Sequence, residues 1–262
     1  MSQSPPMPQQ ATPAAEAPIA GVVFDFDGTL SELHIDFVEM RRRALAVMEK
    51  YGVDPASLAQ TYTLESITTA ARMLEEQRRP EEAIALREEA MEAVEQVEAE
   101  AAERARLFPW VEQVLLALRG EGIPCAVVTR NCAPAVHKIL GRLADCLAAV
   151  LTREQVTNVK PHPEHLEAAR RCLGCSLEQP VVMVGDHPSD IQAGRQAGMV
   201  AVGVLSGATS VEALAGAGAH FVLPDGAQLP DIVRAWNLRA ATLARSRPAG
   251  RAGPARAAEV NA

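Results

Sequence analysis

Residues 21–29 carry the sequence Gly-Val-Val-Phe-Asp-Phe-Asp-Gly-Thr, and this stretch predicts the fold of the whole chain. Its first six residues are rich in β-branched and aromatic side chains, which is typical of a short buried strand. Two carboxylates, Asp25 and Asp27, stand where that strand ends, and Gly28 follows them. Ligands of open parallel sheets bind off the carboxyl ends of the strands. The stretch therefore predicts a central strand that ends at a polar site.

Downstream of residue 107, predicted strands alternate with predicted helices. Further strand patterns cover residues 124–129, 148–152, 180–185, 200–205 and 220–223. Helical patterns lie between them at residues 111–119, 133–143, 163–173, 189–197 and 211–215. Such alternation indicates a parallel sheet that is covered by helices on both faces.

The segment between the first and second strands is predicted to be helical throughout. Helical patterns cover residues 37–50, 64–79 and 81–106. The third pattern has one apolar stripe, and its remaining positions hold nine Glu against three Arg. We interpret it as a helix with one packing face and one solvated acidic face.

These patterns together predict an α/β fold, a doubly wound parallel sheet with an inserted all-helical domain. The predicted core comprises residues 19–30 and 107–238, and residues 31–106 form the helical insertion. Residues 1–18 are expected to be a disordered leader, and residues 239–262 a disordered tail rich in Ala, Arg and Pro.

Composition limits the classes of function. The net charge of −8 argues against a nucleic-acid or anionic membrane partner, because neither is attracted to an acidic surface. The sequence contains no run of 18 apolar residues of the kind that predicts a membrane-spanning helix. The first 18 residues lack the pattern of a signal peptide. Five cysteines, an odd number, do not suggest a disulfide framework. We therefore expect a cytoplasmic protein that acts on a small molecule.

Polar side chains follow three of the predicted strands and precede one helix. Asp25 and Asp27 follow the first strand, and Thr129 with Arg130 ends the second. The strand from Pro180 ends at Asp186, with Asp190 four residues later, and Lys160 stands just before the helix at residue 163. The topology of a parallel sheet is expected to bring all of these residues to one edge.

This set of side chains suits phosphoryl transfer. One carboxylate of the Asp25 and Asp27 pair can act as a nucleophile and the other as an acid and base. The N–H groups beside Gly28 can cradle phosphate oxygens. Asp25 and Asp186 suit Mg²⁺, which prefers carboxylate and substrate oxygens. Lys160 and Thr129 can hold the phosphate through a charge and a hydroxyl.

The motif Asp-x-Asp-Gly-Thr, followed in order by Thr129, Lys160 and Asp186 with Asp190, resembles those of the haloacid dehalogenase superfamily. The position of the helical insertion resembles that of the phosphoglycolate phosphatase branch, in which a small helical cap closes over a Rossmann-like core. The resemblance extends from about Ile19 to Trp236.

The resemblance implies a role for each matched residue. Asp25 would be the nucleophile and Asp27 the general acid and base. Gly28, Thr129 and Lys160 would hold the phosphoryl group. Mg²⁺ would be bound by Asp25, Asp27 through its backbone carbonyl, and Asp186, with Asp190 nearby as a further metal residue.

Two positions depart from the family pattern. Arg130 stands between Thr129 and Asn131, where the family has Asn directly after the hydroxyl residue; we place Arg130 with the phosphate-binding residues and leave the role of Asn131 open. His187 follows Asp186, where the family commonly has Ser or Thr. His34 and the run Arg41-Arg42-Arg43 are weaker candidates for substrate contact, and Cys172 with Cys175 is interpreted as structural.

The predicted function is a Mg²⁺-dependent phosphatase of a small phosphorylated metabolite, with phosphoglycolate as the first candidate substrate. It would act as a monomer or homodimer. Two alternatives remain open: a phosphomutase that returns the phosphoryl group to a sugar, and a non-catalytic binding protein on the same fold.

Overall fold

The computed structural model describes residues 17–58 and 62–246. Six strands form a single sheet in which every neighbouring pair is parallel. The strands are β1 (Gly21–Phe24), β2 (Cys125–Val128), β3 (Ala149–Leu151), β4 (Val181–Gly185), β5 (Val200–Val204) and β6 (Phe221–Leu223). Their order across the sheet is β3-β2-β1-β4-β5-β6.

The strand order places a switch point beside β1. The chain winds from β1 outward through β2 to β3, and then returns to β4 on the other side of β1 and winds outward to β6. Loops after β1 and β4 therefore diverge at the carboxyl edge of the sheet and leave a crevice there. All four residues of β1 are buried because helices cover both faces of the sheet. The predicted doubly wound parallel sheet is confirmed.

Nine α-helices occur among the described residues. Their bounds are α1 (Phe37–Lys50), α2 (Thr63–Glu76), α3 (Pro80–Ala102), α4 (Val111–Gly120), α5 (Ala133–Leu140), α6 (Glu164–Cys172), α7 (Pro188–Gln196), α8 (Val211–Gly216) and α9 (Leu229–Ser246). None of these helices is long and apolar enough to cross a membrane.

The helices α1, α2 and α3 pack around an apolar cluster of their own. That cluster is centred on side chains such as Met48, Leu74 and Leu86, none of which has exposed surface. The sheet is packed against separate clusters, one containing Phe24 and Leu115, and another containing Met183 and Leu166 on α6. We refer to α1–α3 as the cap and to the sheet with its helices as the core.

The end of the chain departs from the prediction. The expected disordered tail from residue 239 is wrong for residues 239–246, because α9 continues to Ser246 and Ala240 is buried. The sequence pattern of this helix is weak, because its buried positions, four and three residues apart, lie within a stretch rich in Ala and Arg. Residues 247–262 lie outside the described residues.

The expected disordered leader is likewise wrong for residues 17 and 18. Ala17 accepts a hydrogen bond from Trp236 Nε1 at 3.0 Å, and the N–H of Ile19 donates to Asn237 Oδ1 at 2.7 Å. These bonds fix residues 17–19 against α9. The rest of the predicted leader, residues 1–16, lies outside the described residues.

Candidate active site

The strand β1 ends two residues earlier than the sequence pattern indicates. The N–H of Asp25 still donates to the carbonyl of Val184 on β4 at 2.8 Å, but the chain then turns, and Gly28, at φ 82°, donates its N–H to the carbonyl of Ser31. The turn separates the two carboxylates. Asp25 therefore faces β4 and Asp27 faces the end of β2.

Asp25, Asp186 and Asp190 form a buried acidic cluster. One carboxylate oxygen of each lies within 4.8 Å of the others. The hydroxyl of Thr29 lies 3.2 Å from Asp25 Oδ2 and 3.1 Å from Asp186 Oδ1, and so between two of the carboxylates. Burial, together with the charges of Asp25 and Asp190, raises the pKa of Asp186 to about 8. A hard divalent cation such as Mg²⁺ fits this set, because the donors are all carboxylate oxygens and their mutual repulsion would be relieved.

Lys160 lies beside the cluster with almost no exposed surface. Its Nζ contacts Asp25 Oδ1 at 2.5 Å and Asp190 Oδ1 at 2.8 Å, and it donates to the carbonyl of Val128 at 3.1 Å. Burial opposes the charge of Lys160, but Asp190 and Asp25 hold its pKa above the usual range. The lysine is therefore a fixed positive charge at the carboxyl edge of the sheet.

Asp190 is held at the start of α7. Its Oδ2 accepts from the N–H of His187 at 3.1 Å, while its Oδ1 faces Lys160. Both oxygens thus have protein partners. This arrangement orients the lysine as well as contributing to the acidic cluster.

Asp27 is held from the end of β2. Asn131 Nδ2 lies 3.1 Å from each carboxylate oxygen of Asp27, and Thr129 Oγ1 donates to Asp27 Oδ2 at 3.3 Å. Burial, together with the charge of Asp25, raises the pKa of Asp27 to about 7. A carboxyl group that titrates near neutrality can both give and accept a proton at physiological pH. Asn131 therefore orients this carboxyl.

Arg130 connects the core to the cap. Its Nη2 donates to Glu65 on α2 at 2.7 Å, its Nη1 donates to the carbonyl of Lys160 at 3.3 Å, and its guanidinium lies over the ring of Tyr62. The guanidinium is thus already paired with a carboxylate of the cap. Contact with a phosphate, the role predicted for Arg130, remains a prediction.

A cavity of about 770 Å³ opens between the cap and the carboxyl edge of the sheet. The core side of its lining is polar and includes Asp25, Asp27 and Lys160, whereas the cap side includes the apolar Phe37 and Met40. Every predicted catalytic and metal residue lines this cavity, and so do Thr129 and Arg130. The structure therefore brings these predicted residues together at one site.

Only one of the weaker candidates for substrate contact lines the cavity. Arg41 lines the cavity, whereas Arg42 and Arg43 form surface ion pairs with Glu39. His34 is exposed and lies 3.1 Å from Glu32, outside the lining. Cys172 is exposed at the end of α6. The structure does not bring these last residues to the site.

Four residues of the site were not singled out from the sequence. Thr29 lies inside the quoted motif, and its hydroxyl beside two carboxylates follows from the turn. Ser206 donates to the carbonyl of Gly28 at 2.7 Å, and Gly207 lies so close to Asp186 that a Cβ would fall 1.8 Å from a carboxylate oxygen. Glu98 lines the cavity from α3. Its sequence signal is a carboxylate directly after Val97, at a position where the helical period calls for an apolar residue.

Comparison with known families gives one extended match. Residues 22–204 match the family model described as haloacid dehalogenase-like hydrolase. This match begins at β1, ends with β5 and so includes the whole cap and the acidic cluster.

Known proteins resemble the chain in sequence or in structure. The phosphoglycolate phosphatase of Escherichia coli (strain K12) is 36% identical over 110 residues, which are 41% of this chain and 43% of that protein. The match thus spans less than half of the curated relative. A hydrolase from Pseudomonas syringae superposes with a TM-score of 0.58 at 20% identity and covers 82% of this chain and 98% of that one. A β-phosphoglucomutase from Clostridium difficile gives a TM-score of 0.58 at 22% identity, with 84% and 98% covered. These two structures share the fold.

Proposed function

The chain belongs to the haloacid dehalogenase-like hydrolase family, and from that membership we propose that it is a Mg²⁺-dependent phosphatase of a small phosphorylated metabolite. One arrangement carries the proposal. Asp25 contacts Lys160 and belongs to the acidic cluster, while Asp27 is held separately by Asn131 in the same cavity. A nucleophile, a fixed cation and an acid are thus assembled at one edge of the sheet.

In the first proposed step, a carboxylate oxygen of Asp25 attacks the phosphorus of the ester. The bond between phosphorus and the ester oxygen breaks, and Asp27 gives its proton to that leaving oxygen. The products are the alcohol and a phosphoryl group joined to Asp25. Proton transfer of this kind contributes roughly 10²- to 10⁴-fold to a rate, because an alkoxide is a poor leaving group.

In the second step, Asp27, now ionised, takes a proton from a water molecule as that water attacks the phosphorus. The bond to Asp25 breaks, inorganic phosphate leaves, and both carboxyl groups return to their starting states. The pKa of Asp27 near 7 suits both directions of proton transfer.

Other residues of the chain hold the reacting groups. Lys160 contacts the carboxylate of Asp25 and would face the phosphoryl oxygens of a bound ester. Thr129 lies beside Asp27 at the end of β2. The N–H of Gly28 donates to the carbonyl of Ser31 and that of Thr29 to the carbonyl of Phe26, so these two groups already have partners within the turn. Mg²⁺, held by Asp25, Asp186 and the carbonyl of Asp27 with Asp190 beside them, would reduce the repulsion between the carboxylates and the dianionic ester.

Phosphoglycolate is the first substrate we propose to test. The support is the partial match to a phosphoglycolate phosphatase of Escherichia coli, since the matched family residues do not distinguish one ester from another. The cavity is large enough for such an ester, and the cap would exclude bulk water from the reacting groups. A cytoplasmic location likewise stays a proposal.

The test is phosphate release from p-nitrophenyl phosphate and from a panel of phosphorylated metabolites that includes phosphoglycolate. We expect hydrolysis with Mg²⁺, loss of it with excess EDTA, and recovery when Mg²⁺ is added back. Asp25→Asn removes the attacking oxyanion, and we expect the rate to fall by about 10³-fold or more. Asp231→Asn, an exposed aspartate paired with Arg234 on α9, is the matched control and should keep its activity.

Two outcomes would contradict this proposal. Full activity of Asp25→Asn would show that another group is the nucleophile. Conversion of glucose 1-phosphate to the 6-phosphate without net phosphate release would show a phosphomutase instead.

A further inference from the structure

A buried ion pair joins the cap to the core beside the proposed site. Arg153, which follows β3, contacts the two carboxylate oxygens of Glu98 on α3 at 2.6 and 2.8 Å. Arg153 is 8% exposed and Glu98 is 3% exposed. Glu95, one turn earlier on α3, lies 3.4 Å from the other terminal nitrogen of the arginine. The guanidinium is therefore held by two carboxylates of the cap helix α3.

The same nitrogen that contacts Glu98 reaches the loop after β2. Arg153 Nη1 donates to the carbonyl of Arg130 at 3.0 Å. That carbonyl belongs to the peptide that joins Arg130 to Asn131. The position of this peptide sets where the side chain of Asn131 begins, so the arginine fixes its orientation from outside the cavity.

All side-chain polar groups of Asn131, in the loop after β2, make hydrogen bonds. Its Nδ2 faces both oxygens of Asp27 at 3.1 Å, and its Oδ1 accepts from the N–H of Cys132 at 2.8 Å. Its own N–H donates to Thr129 Oγ1 at 3.0 Å. A rotation of the peptide before it would therefore change the distance to Asp27 directly.

Stability alone is a weak reason for such a pair. Removing two charges from water costs free energy that their attraction only partly returns, and apolar residues often replace buried pairs without loss. Other pairs also join cap and core: Arg130 with Glu65 on α2, which is partly exposed, and Lys138 on α5 with Glu103 just after α3, which lies at the surface. The pair between Arg153 and Glu98 is the buried one, and its Arg153 Nη1 also donates to the loop that carries Asn131.

We infer that Arg153, clamped by Glu98, is a positioning residue that holds the Arg130–Asn131 peptide and, through Asn131, the carboxyl of Asp27 in place for proton transfer. The inference rests on the proposed phosphatase function for its kinetic consequence. Its structural consequence, a fixed Asn131 side chain, does not depend on that function. The cap would thereby set the geometry of the acid as well as cover the site.

The kinetic test compares two esters that differ in how much they need an acid. Phenyl phosphate releases a more basic oxygen than p-nitrophenyl phosphate, so its cleavage depends more on a well-placed Asp27. For Arg153→Gln, we expect kcat/KM to fall about 10- to 100-fold for phenyl phosphate and about threefold or less for p-nitrophenyl phosphate. Arg153→Lys, which restores a cation opposite Glu98, should recover most of the loss.

Controls separate positioning from folding. Lys138→Gln breaks the exposed pair between cap and core and should leave the ratio of the two esters unchanged. Circular dichroism and size-exclusion chromatography establish that each variant is folded. Glu98→Gln, which keeps the shape and one acceptor oxygen, is the second variant if Arg153→Gln does not fold. It should change the ratio in the same direction.

A structural readout separates this inference from the proposed function. The side-chain amide resonances of Asn131, identified by their loss in Asn131→Asp, should shift in Arg153→Gln and stay in place in Lys138→Gln. If the wild-type protein hydrolyses neither ester, the proposed function fails, and this spectrum alone decides the inference. An unshifted Asn131 amide, or an equal fall in kcat/KM for both esters, would overturn it.

Discussion

Asp25 and Asp27 stand two positions apart in the sequence, yet they contact different partners. Asp25 contacts Lys160, whereas Asp27 is held by Asn131. In an extended strand, both side chains would have pointed to the same side. The turn that begins at Asp25 separates them, and this separation allows one carboxylate to attack while the other transfers a proton.

Gly28 is required at that turn for two separable reasons. Its φ of 82° is unfavourable for any residue with a Cβ, and a Cβ there would lie 2.5 Å from Asp186 Oδ2. We expect Gly28→Ala to lose about 1 to 2 kcal/mol of unfolding free energy from the backbone conformation. We also expect Asp186 to be displaced, which would raise the Mg²⁺ concentration needed for half-maximal activity.

Gly52, after α1, is a matched control for the backbone effect. Its φ is 81°, and a Cβ there would have no atom within 4 Å. Gly52→Ala should therefore lose a similar free energy in urea denaturation but keep the Mg²⁺ requirement of the wild type. An equal Mg²⁺ requirement in Gly28→Ala would show that the contact with Asp186 is unimportant.

At the level of the elements, α9 closes one face of the sheet. Leu229, Val233 and Trp236 on this helix pack against the cluster that contains Phe24. Trp236 also donates a hydrogen bond to the carbonyl of Ala17. The helix thus connects the two ends of the described chain to the sheet, and so contributes to stability although it supplies no side chain to the cavity lining.

Trp236→Ala tests the contribution of α9. The side chain is 7% exposed, and truncation of a buried Trp costs about 3 to 5 kcal/mol. We expect a loss of that size in the free energy of unfolding, measured by urea denaturation. Leu238→Ala on the same helix removes a side chain that is 71% exposed and should change stability by less than about 0.5 kcal/mol. Equal losses would show that α9 does not dock as described.

At the level of the whole molecule, the acidic residues that produce the negative net charge have different roles. Many of the Glu residues of α3 are exposed, as the solvated-face interpretation predicts. Glu98 is an exception to that interpretation, since its side chain is buried against Arg153. Asp25, Asp186 and Asp190 are buried as well and form the candidate metal site. The net charge therefore does not measure the field inside the cavity, where Lys160 is fixed.

His165 makes the stability of the whole chain depend on pH. It lies on α6, has no exposed surface, and donates its Nε2–H to the carbonyl of Leu151 at 3.0 Å. Its Nδ1 has no hydrogen-bond partner within residues 17–58 and 62–246. Burial, together with the nearby charge of Lys160, lowers the pKa of His165 to about 4.

The sign of the effect follows from this depressed pKa. An unfolded histidine titrates near pH 6.5, so at lower pH the unfolded chain binds the proton more readily than the folded one. The contribution of a neutral His165 is complete above pH 6.5 and is lost as the pH falls towards 4. We expect the free energy of unfolding to decrease by about 3 kcal/mol across this range through this residue alone.

His165→Gln provides the measurement, since glutamine can donate to Leu151 but does not titrate. Its free energy of unfolding should fall less between pH 6.5 and 4 than that of the wild type. His162→Gln, at an exposed position nearby, is the control and should follow the wild type. A slope for His165→Gln equal to that of the wild type would contradict the assignment.

The sequence by itself determined the alternation of strands and helices and the residues at the strand ends. Hydrophobic periodicity and composition are properties of each segment, so they can be recognised without knowledge of the fold. Asp25, Asp27, Thr129, Lys160, Asp186 and Asp190 could all be named in advance, because parallel topology sends strand ends to one edge.

Only the tertiary structure decided which of these residues contact one another and which distant residues join them. The role of Asn131 beside Asp27, the burial of Glu98 against Arg153, and the approach of Gly207 to Asp186 all join segments far apart in the chain. The docking of α9 on residues 17–19 is a contact of the same kind. Such contacts depend on how elements pack in three dimensions, and the pattern of a single segment does not contain that information.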